Sequence, residues 1–284
     1  MVESARCRRA IEAAADVARR LGAAAIEPRV LMDANNVSIR LDPLPVVARV
    51  FLPGPFQSGL AGVAREVAIA RHLAAKNAPI VPPCVDPPAG PHIVGDLAVT
   101  LWQFMPHRPA AESDSNQAAA ALRAVHAALT DFPDALPTLA AQFDEVRARL
   151  QSPSALPALA PADRVFLLDA HATIVTRLAA LAPSARPVHG DAHLGNVLMT
   201  ADGARWTDFE AACIAPPEWD LGLLPDADPS VIGPVDPALV RIMSDLRSLG
   251  VAAWCWARYD EPEKRDAAGF HLDRLKARAQ VRFG

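Results

Sequence analysis

One stretch constrains the chain more than any other. Pro187 to Glu210 reads Pro-Val-His-Gly-Asp-Ala-His-Leu-Gly-Asn-Val-Leu-Met-Thr-Ala-Asp-Gly-Ala-Arg-Trp-Thr-Asp-Phe-Glu. Val197, Leu198 and Met199 form a short apolar run, Asp202-Gly203 is a hairpin-turn dipeptide, and Ala204 to Phe209 can return as the partner strand. With Asp202 and Gly203 as the two loop residues, Ala201 pairs with Ala204, Val197 faces Asp208 and Asn196 faces Phe209. Asn196 and Asp208 are then expected at the open end, which the loop carrying His189, Asp191 and His193 enters. Carboxylates with an amide oxygen are hard ligands of the kind that hold Mg²⁺ together with substrate phosphates. A single His-x-Asp-x-His also fits a hydrolytic metal cluster or a hydrogen-bonded loop, and the residues alone leave these open.

The rest of the sequence bounds what such a site can belong to. A chain of 284 residues is long enough for two lobes or domains. Its net charge of −4 and the absence of a Lys/Arg-rich block exclude the electrostatic footprint of a nucleic-acid binder. Cys7, Cys84, Cys213 and Cys255 are scattered without a Cys-x-x-Cys, so neither a zinc site nor a disulfide framework is expected and the thiols are read as reduced. The first residues run into a charged amphipathic segment, and nowhere do 18 uncharged apolar residues follow one another. No membrane partner is expected, and the location is read as cytoplasmic.

Periodicity places helices at Ser4 to Leu21, Ala64 to Ala75, Ala118 to Leu129, Leu139 to Leu150, Ala162 to Leu181, Ala238 to Tyr259 and Glu261 to Arg282. Strand-like runs occur around Val30 to Asp33, Val37 to Leu41, Val46 to Phe51 and Leu97 to Met105, and Pro79 to Pro91 reads as an irregular connection. From Trp206 to Val240 there is no lysine or arginine, while Asp208, Glu210, Glu218, Asp220, Asp226, Asp228 and Asp236 are acidic. Such a field attracts Mg²⁺ and steers a cationic substrate.

His-Gly-Asp-Ala-His-Leu-Gly-Asn followed by Asp-Phe-Glu resembles the catalytic loop and metal motif of the aminoglycoside phosphotransferase and choline kinase-like enzymes. That family shares the protein-kinase fold. The interval from Asp191 to Asn196 equals the Asp-to-Asn interval of the kinase catalytic loop. The resemblance implies an α+β, two-lobed protein-kinase-like fold. Residues 1–105 form a small N-terminal nucleotide-binding lobe with an antiparallel sheet, and 106–284 a larger, mainly helical lobe with the catalytic loop and substrate site.

It further implies Asp191 as catalytic base, His189 as a brace of its loop, and Asn196 and Asp208 as Mg²⁺ ligands with Glu210 as a further one. Arg49 stands where kinases have the phosphate-pairing lysine, and Glu66 is its expected ion-pair partner. Gln103, Phe104 and Met105 lie where backbone groups read the adenine edge. Asp33-Ala34-Asn35-Asn36 occupies the place of the phosphate-covering loop without a glycine. Asp220 is implied to orient the catalytic loop. Glu218, Trp254 and Tyr259 are candidate substrate contacts, the aromatics because a quaternary ammonium is attracted to aromatic faces.

The implied activity is ATP- and Mg²⁺-dependent transfer of a γ-phosphate to a hydroxyl of a small molecule, with GTP left open as nucleotide. The acceptor class covers aminoglycosides, amino sugars and choline-like compounds, antibiotic resistance being one role such an activity can serve. The protein would act as a monomer or a homodimer. Two other readings stand beside it: a catalytically weak nucleotide-binding pseudokinase, suggested by Arg49 and the glycine-free loop, and a metal-dependent hydrolase using His189, Asp191 and His193. An Ala-Pro-Glu-like activation segment is lacking after Asp208, which disfavours a protein kinase.

Overall fold

The structure is a computed structural model that describes residues 4–23, 25–53, 59–221, 224, 227–232 and 235–283. Asp226, singled out in the sequence, lies outside these. In chain order the elements are α1 (Ala5–Arg20), β1 (Glu27–Asp33), β2 (Val37–Asp42), β3 (Val46–Phe51), α2 (Gly59–Ala75), β4 (His92–Val94), β5 (Leu97–Gln103), β6 (Arg108–Pro109), α3 (Ser115–Leu129), α4 (Leu139–Gln151) and α5 (Pro161–Leu181). They continue with β7 (Arg186–Val188), β8 (Val197–Thr200), β9 (Gly203–Trp206), β10 (Cys213–Ala215), α6 (Glu218–Leu221), α7 (Pro229–Ile232), α8 (Pro237–Trp256) and α9 (Pro262–Phe283). Two compact units result: residues 1–132 with 193–211, and residues 133–192 with 212–284. The first unit thus runs past Met105 and takes the hairpin with it.

The first unit is built on an antiparallel sheet of order β1-β2-β3-β5-β4. Side chains alternate across a strand, so Val37, Ile39 and Leu41, then Val46, Ala48 and Val50, then Leu97, Val99 and Leu101 share one buried face. The alanine-rich side of α1, Ala10, Ala13, Ala14, Val17 and Ala18, packs on that face. Ser4 starts this helix by accepting from the Cys7 amide at 3.1 Å. The other face holds the opposite parity, where Phe51 and Ala98 cluster with Val63 of α2. Arg49 has that parity too and pairs in register with Thr100, which sends a charged side chain toward the α2 side of the sheet.

The hairpin forms, but in a different register from the one expected. Thr200 pairs with Gly203, Met199 with Ala204, Leu198 with Arg205 and Val197 with Trp206, so the loop residues are Ala201 and Asp202 and Val197 does not face Asp208. Gly203 explains the shift: its φ of 106° is the positive value needed just after the turn, so the glycine opens the returning strand and leaves the loop to its neighbours. Thr200 secures the turn, donating from Oγ1 to Gly203 O at 2.9 Å and accepting from the Asp202 amide at 3.3 Å.

Trp206 ties the hairpin into the first unit. Its backbone bonds to both sides of the irregular proline-rich connection, Trp206 N to Pro79 O at 2.9 Å and Val81 N to Trp206 O at 2.8 Å, and its indole Nε1 donates to Ala118 O of α3 at 3.0 Å. The ring is wholly buried.

In the second unit α8 packs against α4, α5, α6 and α9, and β7 pairs antiparallel with β10. Phe143 of α4 meets Trp219 of α6 edge to face, with ring centres 5.6 Å apart. Among the described residues no helix is long and apolar enough to cross a membrane, and the four cysteines are buried and not joined in disulfides.

Candidate active site

Two clusters of charge carry the motif residues, one in each unit. In the first, Arg49 of β3 is almost fully enclosed and pairs with Glu66 of α2, the ion pair that the resemblance implied. The same guanidinium reaches Asp208 Oδ2 through Nη2 at 2.7 Å and Glu210 Oε2 at 3.6 Å. The Asn36 amide, from the glycine-free loop, lies against the same guanidinium; turned so that its oxygen faces the arginine, it accepts from Arg49 Nη2 at 2.7 Å and Nε at 3.2 Å. Burial by itself would lower the Arg49 pKa, but Asp208, Glu66 and Glu210 outweigh it and hold the group firmly protonated. Burial pushes the Glu66 carboxyl well above the usual carboxylate range, and the neighbouring carboxylates of Asp208 and Glu210 add to this against the pull of Arg49. Glu66 also accepts from the Phe209 amide at 3.2 Å, so it fixes both the arginine and the Asp208–Glu210 backbone.

Asp208 has a φ of 68°, a left-handed conformation that aspartate tolerates better than most side chains. One carboxylate oxygen takes Arg49, while Oδ1 is buried with no hydrogen-bond donor. An orphaned carboxylate oxygen is costly unless something positive completes it. Asn196 lies next to Asp208's end of the hairpin, since its carbonyl accepts from the Thr207 amide at 3.0 Å. The short turn Leu194–Asn196 is capped by His193, whose Nδ1 accepts from the Gly195 amide at 3.0 Å. A Cβ at Gly195 would stand 2.7 Å from His193 Cε1, which accounts for glycine there.

The loop bearing Asp191 belongs to the second unit. Asp220, with no exposed surface, accepts from two consecutive amides, His189 N through Oδ2 and Gly190 N through Oδ1, each at 2.9 Å. His189 Nδ1 accepts from the Asp191 amide at 3.3 Å, so a neutral imidazole carries its proton on Nε2. Trp219 Nε1 donates to Gly190 O at 2.9 Å. Sequence reasoning passed over one residue here: Arg247 of α8, which donates from Nη1 to Asp191 Oδ1 at 3.1 Å. The available signal was an arginine inside a helix that is buried on nearly every side and that must therefore find an acid.

Other expected contacts are engaged by the chain itself. The Gln103 and Phe104 amides donate to Pro82 O and Pro45 O at 3.0 and 2.9 Å, and Met105 O lies 2.8 Å from His107 Nδ1. Phe104 stacks under the Arg40 guanidinium at 3.9 Å. Glu218 is buried and accepts from the Asp236 amide at 3.4 Å. Trp254 faces Arg258 and Lys264 at 4.8 and 4.5 Å, and Tyr259 stacks on Trp256 at 4.5 Å and faces Arg265. These aromatic faces already hold the chain's own cations. Among the described residues no group of three or more His, Cys, Asp or Glu is placed to hold a metal ion.

A model of the phosphotransferase enzyme family matches residues 17–261. The chain belongs to that family. No curated protein matches this phosphotransferase-family chain in sequence. Among solved structures, a choline/ethanolamine kinase family protein from Mesorhizobium loti superposes with a TM-score of 0.69 at 20% identity, covering 94% of this chain and 93% of its own. Amicoumacin kinase hAmiN, in complex with AMP-PNP, Ca²⁺ and Ami, gives 0.68 at 13% identity with 88% of each chain covered. The GDP and kanamycin complex of APH(2")-IIIa gives 0.67 at 15% identity, with 94% and 98% covered. At these identities the likeness shows the fold, which is protein-kinase-like.

Proposed function

We propose that this family member transfers the γ-phosphoryl group of a nucleoside triphosphate, ATP or alternatively GTP, to a hydroxyl of a small, amine-bearing molecule. Asp208 carries the reading: a carboxylate in a left-handed turn, with one oxygen on a buried arginine and the other buried and unpartnered. That orphaned hard oxygen, with the amide of Asn196 on the same hairpin and Glu210 two residues on, fits Mg²⁺. Asp208 and Asn196 would hold the ion, with Glu210 as a further ligand. Bound there with nucleotide, Mg²⁺ would neutralise charge on the phosphates.

Arg49 supplies the cation that meets the nucleotide phosphates, and Glu66 holds it at the sheet. An arginine keeps its charge and offers a two-pronged fork, a different geometry from lysine's point charge. Asp191 accepts the acceptor's proton as its oxygen bonds to phosphorus and the bond to the departing nucleoside diphosphate breaks; a positioned base contributes about 10²–10⁴-fold. Asp220 keeps the Asp191 loop in place through the His189 and Gly190 amides. The amine in the acceptor is suggested by the acidic run from Asp208 to Asp236 and by the compounds that name the structural neighbours, choline, ethanolamine, amicoumacin and kanamycin.

The test is nucleoside-triphosphate consumption with choline, ethanolamine, kanamycin, amicoumacin, amino sugars, hydroxy amino acids and macrolides, with the product read by ³¹P NMR. A phosphomonoester from at least one is expected. Failure with all of them, together with no binding of AMP-PNP in the presence of Mg²⁺, would end the reading. Binding without transfer would instead select the nucleotide-binding module without turnover, which the Arg49–Asp208 pair favours because it ties up one metal-ligand oxygen.

A further inference from the structure

Within the phosphotransferase reading, we infer that Arg247 is a positioning residue for the base: from α8 it grips Asp191, Gly190 and Trp219 together and sets the direction of the Asp191 carboxylate. Nη1 donates to Asp191 Oδ1 at 3.1 Å, and Nη2 donates to Gly190 O at 3.1 Å and Trp219 O at 3.3 Å. The guanidinium lies over the Trp219 ring at 3.9 Å. A planar fork stacked on an indole has one orientation available to it, so its two nitrogens reach fixed points. Those points are themselves fixed, because Trp219 Nε1 donates to the same Gly190 carbonyl and Asp220 holds the amides of residues 189 and 190.

The arrangement is a poor device for stability. Arg247 is 11% exposed at its side chain and its Nε is buried without an acceptor. Burial draws its pKa below the ordinary arginine value although Asp191 and Asp220 pull the other way. A well-packed apolar residue would stabilise such a position at least as well. Asp191, by contrast, keeps 40% of its side chain exposed. The carboxylate is therefore held from beneath while part of it stays open to an incoming hydroxyl. A carboxylate held in one direction suits a loose phosphoryl-transfer step, which needs the hydroxyl oriented more than it needs early removal of its proton.

The experiment compares wild type, Arg247→Met, Arg247→Lys and Asp191→Asn on whichever acceptor of the panel above wild type turns over fastest, recording kcat, the KM for ATP and the melting temperature. Arg247→Met is expected to lower kcat about 10²-fold, the scale of a small misplacement of a reacting group, with the KM for ATP within about twofold of wild type. Arg247→Lys is expected to recover no more than about a tenth of the wild-type kcat, because one ammonium cannot span three acceptors on two segments. Wild-type kcat in Arg247→Met, or in Arg247→Lys, overturns the inference. So does a fall in kcat matched by an equal rise in the KM for ATP, the mark of general loosening. If Arg247→Met does not fold, Arg247→Lys alone decides by the same criterion. Full turnover in Asp191→Asn would remove the proposed base itself and so is told apart from a failure of Arg247.

Discussion

Each unit buries an arginine against acids, and the two arginines are used in opposite ways. Arg49 is outnumbered: Glu66, Asp208 and Glu210 surround it, and its charge is held up by them. Arg247 is stacked on an indole, meets Asp191 through one nitrogen and spends the other on two carbonyls, and burial prevails over the acids around it. The first cluster has surplus negative charge and an unpartnered carboxylate oxygen, the condition for taking up a cation. The second has its geometry over-determined, the condition for aiming one group. On the proposed reading, similar residue types would make a receptor in one unit and a mount in the other.

Substitutions that strike one cluster and spare the other can break this contrast. The largest effect is expected from Asp191→Ala, with kcat down by about 10³-fold or more while calorimetry finds the affinity for Mg²⁺–AMP-PNP unchanged; a parallel loss of nucleotide affinity would mean that the division of labour is wrong. Arg49→Met should do the reverse, weakening nucleotide binding and also destabilising the fold by about 3–5 kcal/mol in denaturant titration, because Glu66 is left buried without its cation. Asp220→Asn keeps one acceptor for the two amides it now serves, so a loss of about 1–3 kcal/mol is expected, with no change in nucleotide affinity.

The smallest effect is a control in the first unit away from Arg49. Burial pushes the Cys84 thiol up to about 11, above its ordinary value of 9.0. A raised folded-state pKa stabilises the fold fully below pH 9.0, and that contribution is lost as pH rises through about 11. Alkylation of Cys84 should be slow at pH 8 and accelerate only near pH 11 or on unfolding, with turnover unaffected by Cys84→Ala.

The sequence made long periodic elements readable, and each of the expected helices has a counterpart, from α1 to α9. It was silent on β4, β6, β7 and β10, two or three residues each, because pieces that short carry no period and exist only through the partners they pair with. The hairpin was seen but its register was missed, since Asp202-Gly203 signals a turn without saying whether the glycine sits in it or just after it. Arg49 and Glu66 were found because a resemblance named both positions. Arg247 lies 56 residues beyond Asp191 and on another element, so no local spacing links them. What stayed hidden was what tertiary packing alone decides.

The hairpin's allegiance has a consequence for how the chain comes off the ribosome. The sheet, α1, α2 and α3 are synthesised first, yet the indole that α3 receives at Ala118 arrives 88 residues later. Until residue 206 emerges, the N-terminal unit must wait with an unfilled slot while residues 133–192 pass by, and the vectorial order of synthesis places this docking late.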